Sequence, residues 1–349
     1  MKDVCSINMG QSPESSSYNE TGDGIPFFQG NADFGERYPI TRVWCNAPTK
    51  IATAGDILIS VRAPIGALNY AKEECCIGRG LAALTPDTSK VSPEFIYWLL
   101  TGKNTELNSK GTGSTFKAIG RKVLEETMVP DVGFEQQHAY AMNLERVYAI
   151  IQIRKQQLKT LDDLIKARFV EMFGDPIRNE KGFKTKLGED IFKLSNGKFV
   201  PDHKRLESGI PVYGGNGISW YTDEILSIED TVVVGRVGFQ SGNVHFAEGP
   251  LWISDNAMYI SVLFDSDYDL RFLYWVMEHI NFTRFQDAGD LKKITQKPFM
   301  QMKYIKPPIS MQRDYNAFVE QIYKTKDVVQ KALDEAQTLF DSLMQQYFG

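Results

Sequence analysis

The chain has 349 residues, a net charge of −5, 42% apolar and 12% aromatic residues, which suffices for two domains with their own cores and excludes a disordered chain or a basic coat for DNA. No run of about eighteen apolar residues occurs, and Met1-Lys2-Asp3-Val4 opens no signal-peptide apolar region, so the expectation is a cytoplasmic protein with no membrane segment. Cys5, Cys45, Cys75 and Cys76 form no C-x-x-C pair and have no histidine at ligand spacing, which argues against zinc and for buried thiols in a reducing compartment.

From the N-terminus, short strand-like runs alternate with Gly/Pro/Asn turns at 4–9, 25–28, 56–61, 66–70 and 81–84. Ser92-Pro93-Glu94 then caps a short aromatic helix beginning at Phe95, and Asn108 to Gly120 is a glycine-spaced polar loop. Beyond Pro130, residues Leu144, Ile151, Leu158, Ile165 and Met172 recur at every seventh position, with Val147 and Leu161 on the flanking row. No proline or glycine interrupts 134–173, which predicts roughly 60 Å of helix, and Gly174-Asp175-Pro176 ends it.

After Pro176 the same order returns. Gly209-Ile210-Pro211-Val212-Tyr213-Gly214-Gly215-Asn216 echoes Gly24-Ile25-Pro26-Phe27-Phe28-Gln29-Gly30-Asn31, Asp230 to Arg236 echoes Asp56 to Arg62, and Phe272-Leu273-Tyr274-Trp275 echoes Phe95-Ile96-Tyr97-Trp98. An extra stretch from Arg37 to Thr53 has no counterpart in the second half. The last forty residues supply a second seam, Phe318, Ile322, Thr325, Val329, Ala332, Ala336, Leu339 and Leu343, in alternating steps of four and three. The reading is α+β with a pseudo-twofold internal repeat: two β-rich mixed domains, 1–133 and 175–309, separated by two long antiparallel coiled-coil helices, 134–174 and 310–349. The stripes also fit two amphipathic helices packed on separate cores.

No catalytic constellation is complete. H-E-x-x-H, G-x-x-x-x-G-K-[ST] and G-x-S-x-G are absent, Gly111 to Phe116 lacks the third glycine of a dinucleotide fingerprint, and Lys306-Pro307-Pro308-Ile309 fails the amino-methyltransferase box at both ends. The expectation is a non-enzymatic chain with no cofactor and no metal of its own. Both halves do carry what reading DNA requires: glycine loops for close backbone approach, amides and hydroxyls for base edges, isolated cations for guanine or phosphate. The candidates are Gln29, Asn31, Arg62, Arg79, Ser114, Thr115 and Lys117 in the first half, and Asn216, Arg236, Lys292 and Lys293 in the second. Arg62 and Arg236 read as equivalents at strand ends. The alternative roles are turn residues for the asparagines and solvated or ion-paired side chains for the cations.

In order, Gly24-Ile25-Pro26-Phe27 with Gly30-Asn31, Gly55-Asp56-Ile57-Leu58 with Arg62, Gly113-Ser114-Thr115, and Val129-Pro130 leading through Glu135-Gln136-Gln137 into the long helix resemble the specificity subunit of type I restriction-modification systems. The resemblance covers the whole chain. It implies two target recognition domains, each reading one half of a split double-stranded DNA site, with helices that fix the gap and seat two methyltransferase subunits. Restriction subunits would join them, and S-adenosylmethionine, ATP and magnesium would belong to the partners. Two other readings share the architecture: the specificity subunit of a fused restriction-methylase system, and a coiled-coil adaptor that binds protein.

Overall fold

The computed structural model describes residues 1–349 except 114–116 and 290–291. Seven α-helices are present among them: α1 Pro93–Gly102, α2 Asn104–Ser109, α3 Arg121–Glu125, α4 Phe134–Phe173, α5 Leu270–Ile280, α6 Lys297–Gln301 and α7 Ile309–Phe348. The chain forms two compact units, Met1–Lys155 with Gln330–Gly349, and Gln156–Val329. The architecture is mixed α and β. Both unit boundaries fall inside the 40-residue helices α4 and α7.

In the first unit a four-stranded antiparallel sheet runs in the order Cys5–Met9, Leu81–Pro86, Ile57–Ser60, Leu68–Tyr70. Its central strand explains the arrangement. Successive side chains leave a strand on opposite faces, and here both faces are covered: Ile57 and Ile59 enter one core with Phe95, Trp98 and Leu144, while Leu58 enters another with Phe28, Ala52 and Cys75. A smaller sheet seats Ile25–Phe28 parallel to Cys75–Ile77. The second unit has the sheet order Phe192–Asn196, Ala257–Leu263, Thr231–Gly235, Val244–Ala247. Val232 and Val234 face the core holding Phe169 and Phe272, Val233 faces Leu251 and Ile253, and Ile210–Gly214 runs parallel to Trp252–Ile253.

Within each unit, pieces of α4 and α7 lie against each other and against that unit's core. In the first, Tyr140 stacks on Tyr347 at 3.8 Å, Asn143 donates to the Tyr347 hydroxyl at 3.1 Å, and Trp98 of α1 meets Phe340. In the second, the Tyr315 hydroxyl donates to the Ile165 carbonyl at 3.2 Å, and Lys326 pairs with Asp162 at 2.5 Å. The inward row of α7 differs from the expected one. Val319 is 1% exposed, and Lys326, Leu333 and Phe340 are half-buried, whereas Thr325 and Leu339 are exposed, Leu339 at 50%. One of the two expected seam rows is displaced by a residue, because Val319 enters the core of the second unit with Phe318 packed beside it, and Phe340 packs against the core of the first in place of Leu339. Arg37, from the stretch present only in the first half, lies 4.5 to 4.8 Å from the rings of Tyr97, Trp98 and Tyr148 and pairs with Glu145 at 2.6 Å.

Two buried glutamines fix where each long helix starts. Gln137 accepts from the amide of Ser92, the residue that caps α1, at 2.9 Å and donates to the Val132 carbonyl at 2.8 Å. Gln312 accepts from the amide of Asp269, which caps α5, at 2.8 Å and donates to the carbonyls of Asp267 and Pro307 at 2.9 and 2.8 Å. Each side chain is buried, at 4% and 0% exposure, and satisfies backbone groups whose loss of a partner costs about 1–3 kcal/mol apiece. Gln312→Leu, which keeps the volume, should lower the stability of the second unit by about 2–5 kcal/mol, read as a fall in urea midpoint with the slope unchanged. A midpoint within error of wild type would show that α7 is positioned by apolar packing alone.

Candidate nucleic-acid interface

In the first unit the strand Ile25–Phe28 delivers Gln29, Gly30 and Asn31 into a turn held by Asp33, whose carboxylate accepts from the Gln29 amide at 2.7 Å and the Gly30 amide at 3.4 Å. Gly80 closes the turn from beside it. Its amide donates to the Gln29 carbonyl at 3.1 Å, and a Cβ at Gly80 would stand 2.3 Å from that oxygen, so only glycine fits. Gln29, Asn31, Arg62, Ala63 and Gly80 line one cleft of about 360 Å³. Lys117 flanks it: its carbonyl accepts from the Ala63 amide at 3.0 Å, and Ala118 bridges to Arg62. Gln29, Arg62, Arg79 and Lys117 are exposed and Asn31 is half-buried. Arg79 adjoins Gly80 without lining the cleft, its amide donating to the Ser12 hydroxyl at 3.4 Å. Ser114 and Thr115 lie outside the described residues.

The second unit builds a cleft of about 440 Å³ from the corresponding turns, with Gly214, Gly215 and Asn216 on one side, Val237 to Gln240 on another, and Ser254 to Asn256 as its floor. Lys292 and Lys293 stand where Lys117 and Ala118 stand in the first unit. The Lys292 carbonyl accepts from the Gly238 amide at 2.8 Å, and Lys293 bridges to Val237. Among the described residues none of Arg62, Arg79, Lys117, Arg236, Lys292 and Lys293 has an ion-pair partner, whereas many other cations do. Unpaired cations at the rim of a cleft lined by amides suit an anionic backbone with hydrogen-bonding edges.

The expected equivalence of Arg62 and Arg236 does not hold. The Val61 amide donates to the Gly80 carbonyl and the Val61 carbonyl accepts from Ile119; the Arg236 amide donates to Asn256 and its carbonyl accepts from Ile294. Arg236 therefore occupies the place of Val61, and Val237 that of Arg62. One step along a strand reverses the face, so the two arginines leave their strands on opposite sides. Arg236 is half-buried and does not line the cleft. Residues that pattern reading missed do line it: Arg205, whose guanidinium lies 5.0 Å over Trp220, together with Phe239, Gln240 and Asp255. They lie in turns and an irregular strand, where no periodicity marks an inward or outward position.

Residues 1–162 match the family model of the type I restriction modification DNA specificity domain. That match covers a little under half of the chain, and over these residues the chain is similar to the type I restriction modification DNA specificity domain. A Methanocaldococcus jannaschii chain provisionally named the type I restriction enzyme MjaX specificity subunit is 42% identical over 156 residues, covering 45% of this chain and 37% of that one. The MjaIX specificity subunit of the same organism is 26% identical over 230 residues, 58% of this chain and 53% of it. The chain thus spans about half or less of the length of these curated relatives. The crystal structure of a type I restriction-modification S subunit from M. genitalium superposes with a TM-score of 0.69 at 18% identity, covering 100% of this chain and 94% of that one, which is a likeness of fold.

No described helix is long and apolar enough to cross a membrane, and no described group of three or more His, Cys, Asp or Glu could hold a metal ion. Behind the Asn216 turn sits His245, whose ring lies 3.8 Å from a Cβ position at Gly217. Burial pushes its imidazole below the ordinary histidine value, with the hydrogen bond to the Gly215 backbone opposing. Burial does the same to His279, which stacks on Phe169 at 3.7 Å. With the folded pKa below the unfolded one, the unfolded chain takes up protons first, so stability is full above about pH 7 and falls as pH drops below about 6.5, by at most about 1.4 kcal/mol per pH unit per histidine. Chemical denaturation of the wild type between neutral and mildly acidic pH should show that decline, and His245→Gln with His279→Gln should flatten it. An equally steep decline in the double variant would assign the pH dependence to other groups.

Proposed function

We propose that this chain is the sequence-specific DNA recognition subunit of a type I restriction-modification complex, with one reader domain for each half of a bipartite double-stranded site. The observation that carries the reading is that each unit builds a cleft from the same backbone register, lined by amides and turn glycines, with cations beside it: Arg62 and Lys117 in the first, and in the second Lys292 and Lys293 on the adjoining segment together with Arg205, which pairs with Asp202 at 2.7 Å. The reader domains are 1–133 and 175–309, and the matching sheet orders and hydrogen-bond registers support an internal duplication. The helices 134–174 and 310–349 form an antiparallel coiled coil, supported by the pairs Asn143–Tyr347, Ile165–Tyr315 and Asp162–Lys326 and by the steps of three and four on the inward row. That pairing is the platform for two methyltransferase subunits, which restriction subunits join. S-adenosylmethionine, ATP and magnesium are bound by those partners, and this chain contributes recognition without turnover.

Two measurements test the reading. The purified chain, given duplex DNA with S-adenosylmethionine or magnesium, should produce neither methylated nor cleaved product until a partner is added; product formation by the chain alone, abolished by a single substitution in it, would overturn the non-catalytic assignment. Arg62→Ala should weaken binding through one half-site only, by about 1–3 kcal/mol if the guanidinium reads a base, or lower the salt slope by about one if it holds a phosphate. Relaxed preference in both half-sites at once would contradict independent reader domains.

A further inference from the structure

The turn from Gly238 to Gly242 in the second unit holds one feature that the recognition reading does not use. Phe239 is 86% exposed, more than any other large apolar side chain in the described core and surface. Burying a phenyl ring is worth about 1.5–3 kcal/mol, a gain open to any ligand that covers it. The backbone beneath it is not loose. The Gln286 side-chain amide donates to the Phe239 carbonyl at 3.1 Å and to the Ser241 carbonyl at 2.6 Å, and the Gly238 amide donates to the Lys292 carbonyl at 2.8 Å. Gly238 and Gly242 take positive φ of 89° and 91°, and a Cβ on Gly242 would come within 2.8 Å of the Phe282 backbone. The fold thus holds a bare aromatic ring on a clamped turn, and much of the entropy of fixing it is lost before any ligand arrives.

Its surroundings indicate the ligand. Phe239 shares the cleft with Asn216, Gln240 and Asn256, whose amides match base edges, and the same turn is bonded to the Lys292 strand. In the first unit the backbone place of Phe239 is taken by Pro64, since Ala63 and Gly238 make the same bond, to Lys117 and Lys292 respectively. Resting on the DNA-recognition reading, we propose that Phe239 is a wedge that enters a base step of the half-site read by the second unit, partly unstacking it and kinking the duplex. An apolar side chain flanked by cations and amides is the combination that such insertion uses: the ring replaces stacking lost between the bases, while neighbouring groups hold phosphates and edges. The second half-site would then select for an easily unstacked step at a position no hydrogen bond reads.

The test uses the full chain, in the complex in which it purifies, and a duplex that the wild type selects from a randomised pool, with 2-aminopurine placed in turn at each position. Wild type should raise the fluorescence at one step of the second half-site. Phe239→Ala should abolish that rise and weaken binding roughly 5- to 100-fold with the salt slope unchanged. Phe239→Leu, still an apolar wedge, should retain most of both, and a mismatch at the step should restore affinity to Phe239→Ala, because the cost of unstacking is already met by the DNA. Unchanged affinity and fluorescence in Phe239→Ala would overturn the wedge and leave the recognition reading standing. So would normal DNA binding by Phe239→Ala with loss of a copurifying protein, which would make the ring a protein contact. Failure of the wild type to show any salt-dependent preference among duplexes would instead remove the recognition reading itself.

Discussion

Everything positioned in this molecule depends on the fact that neither long helix can bury its apolar stripe alone. The stripe on α4 repeats every seventh residue amid charged and amide side chains, too narrow for a core of its own. Each compact unit solves this by closing its core with a piece of both helices: Ala141 and Leu144 with Phe340, Leu343 and Phe348 in the first, and Ile165, Phe169 and Phe173 with Tyr315, Val319 and Ile322 in the second. At about 1.5–3 kcal/mol per fully buried large side chain, these contacts are a sizeable part of each domain's stability. The helices are therefore structural members of the two compact units, and a change at either end of a helix acts on a unit's core as well as on the contacts between the helices within that unit.

The division of labour follows from that. Rigidity comes from sheets covered on both faces and from the two buried glutamines that tie helix starts to the caps of α1 and α5. The cleft side chains are left to turns. Many of the cleft residues, Gln29, Arg62, Phe239 and Gln240 among them, sit on segments whose backbone is fixed by hydrogen bonds but whose side chains are exposed, so they can change without disturbing the core. The geometry of each cleft is set by glycines and carbonyls, and its identity by what projects from them.

Much of this was legible from residue order alone, and the failures have physical causes. The span of α4, its terminating Gly174, the capped aromatic helix after Ser92 and the strand that delivers Gln29 and Asn31 all followed from period, caps and turn residues. The inward row of α7 did not, because apolar neighbours stand side by side at Phe318-Val319, Ala332-Leu333 and Leu339-Phe340, and a period of three and four fits either member of each pair. Only the pull of the domain cores on Val319 and Phe340 chooses. The mispairing of Arg62 with Arg236 has a similar origin: aligning like residues moved one strand by a single position, and strand geometry turns a one-residue slip into a change of face. Phe239, Arg205 and Trp220 carried no periodic signal, since turns have none.

The two clefts carry different side chains at matching places on one backbone frame. Where the first unit has Arg62, Arg79 and Pro64, the second has Val237, Asp255 and Phe239, while the backbone bonds beneath them are the same. An arginine at such a position attracts phosphate and can bind guanine in two-bond fashion; an aspartate repels phosphate but accepts from the amino group of cytosine. The second cleft therefore has less cationic reach at its floor and more apolar and stacking surface, with Trp220 beneath Arg205 and Phe239 opposite. On the proposed DNA reading, a cleft of that composition draws its selectivity from close contact and deformability more than from long-range attraction, so the two halves of one site should differ in how strongly salt weakens them as well as in the bases they prefer.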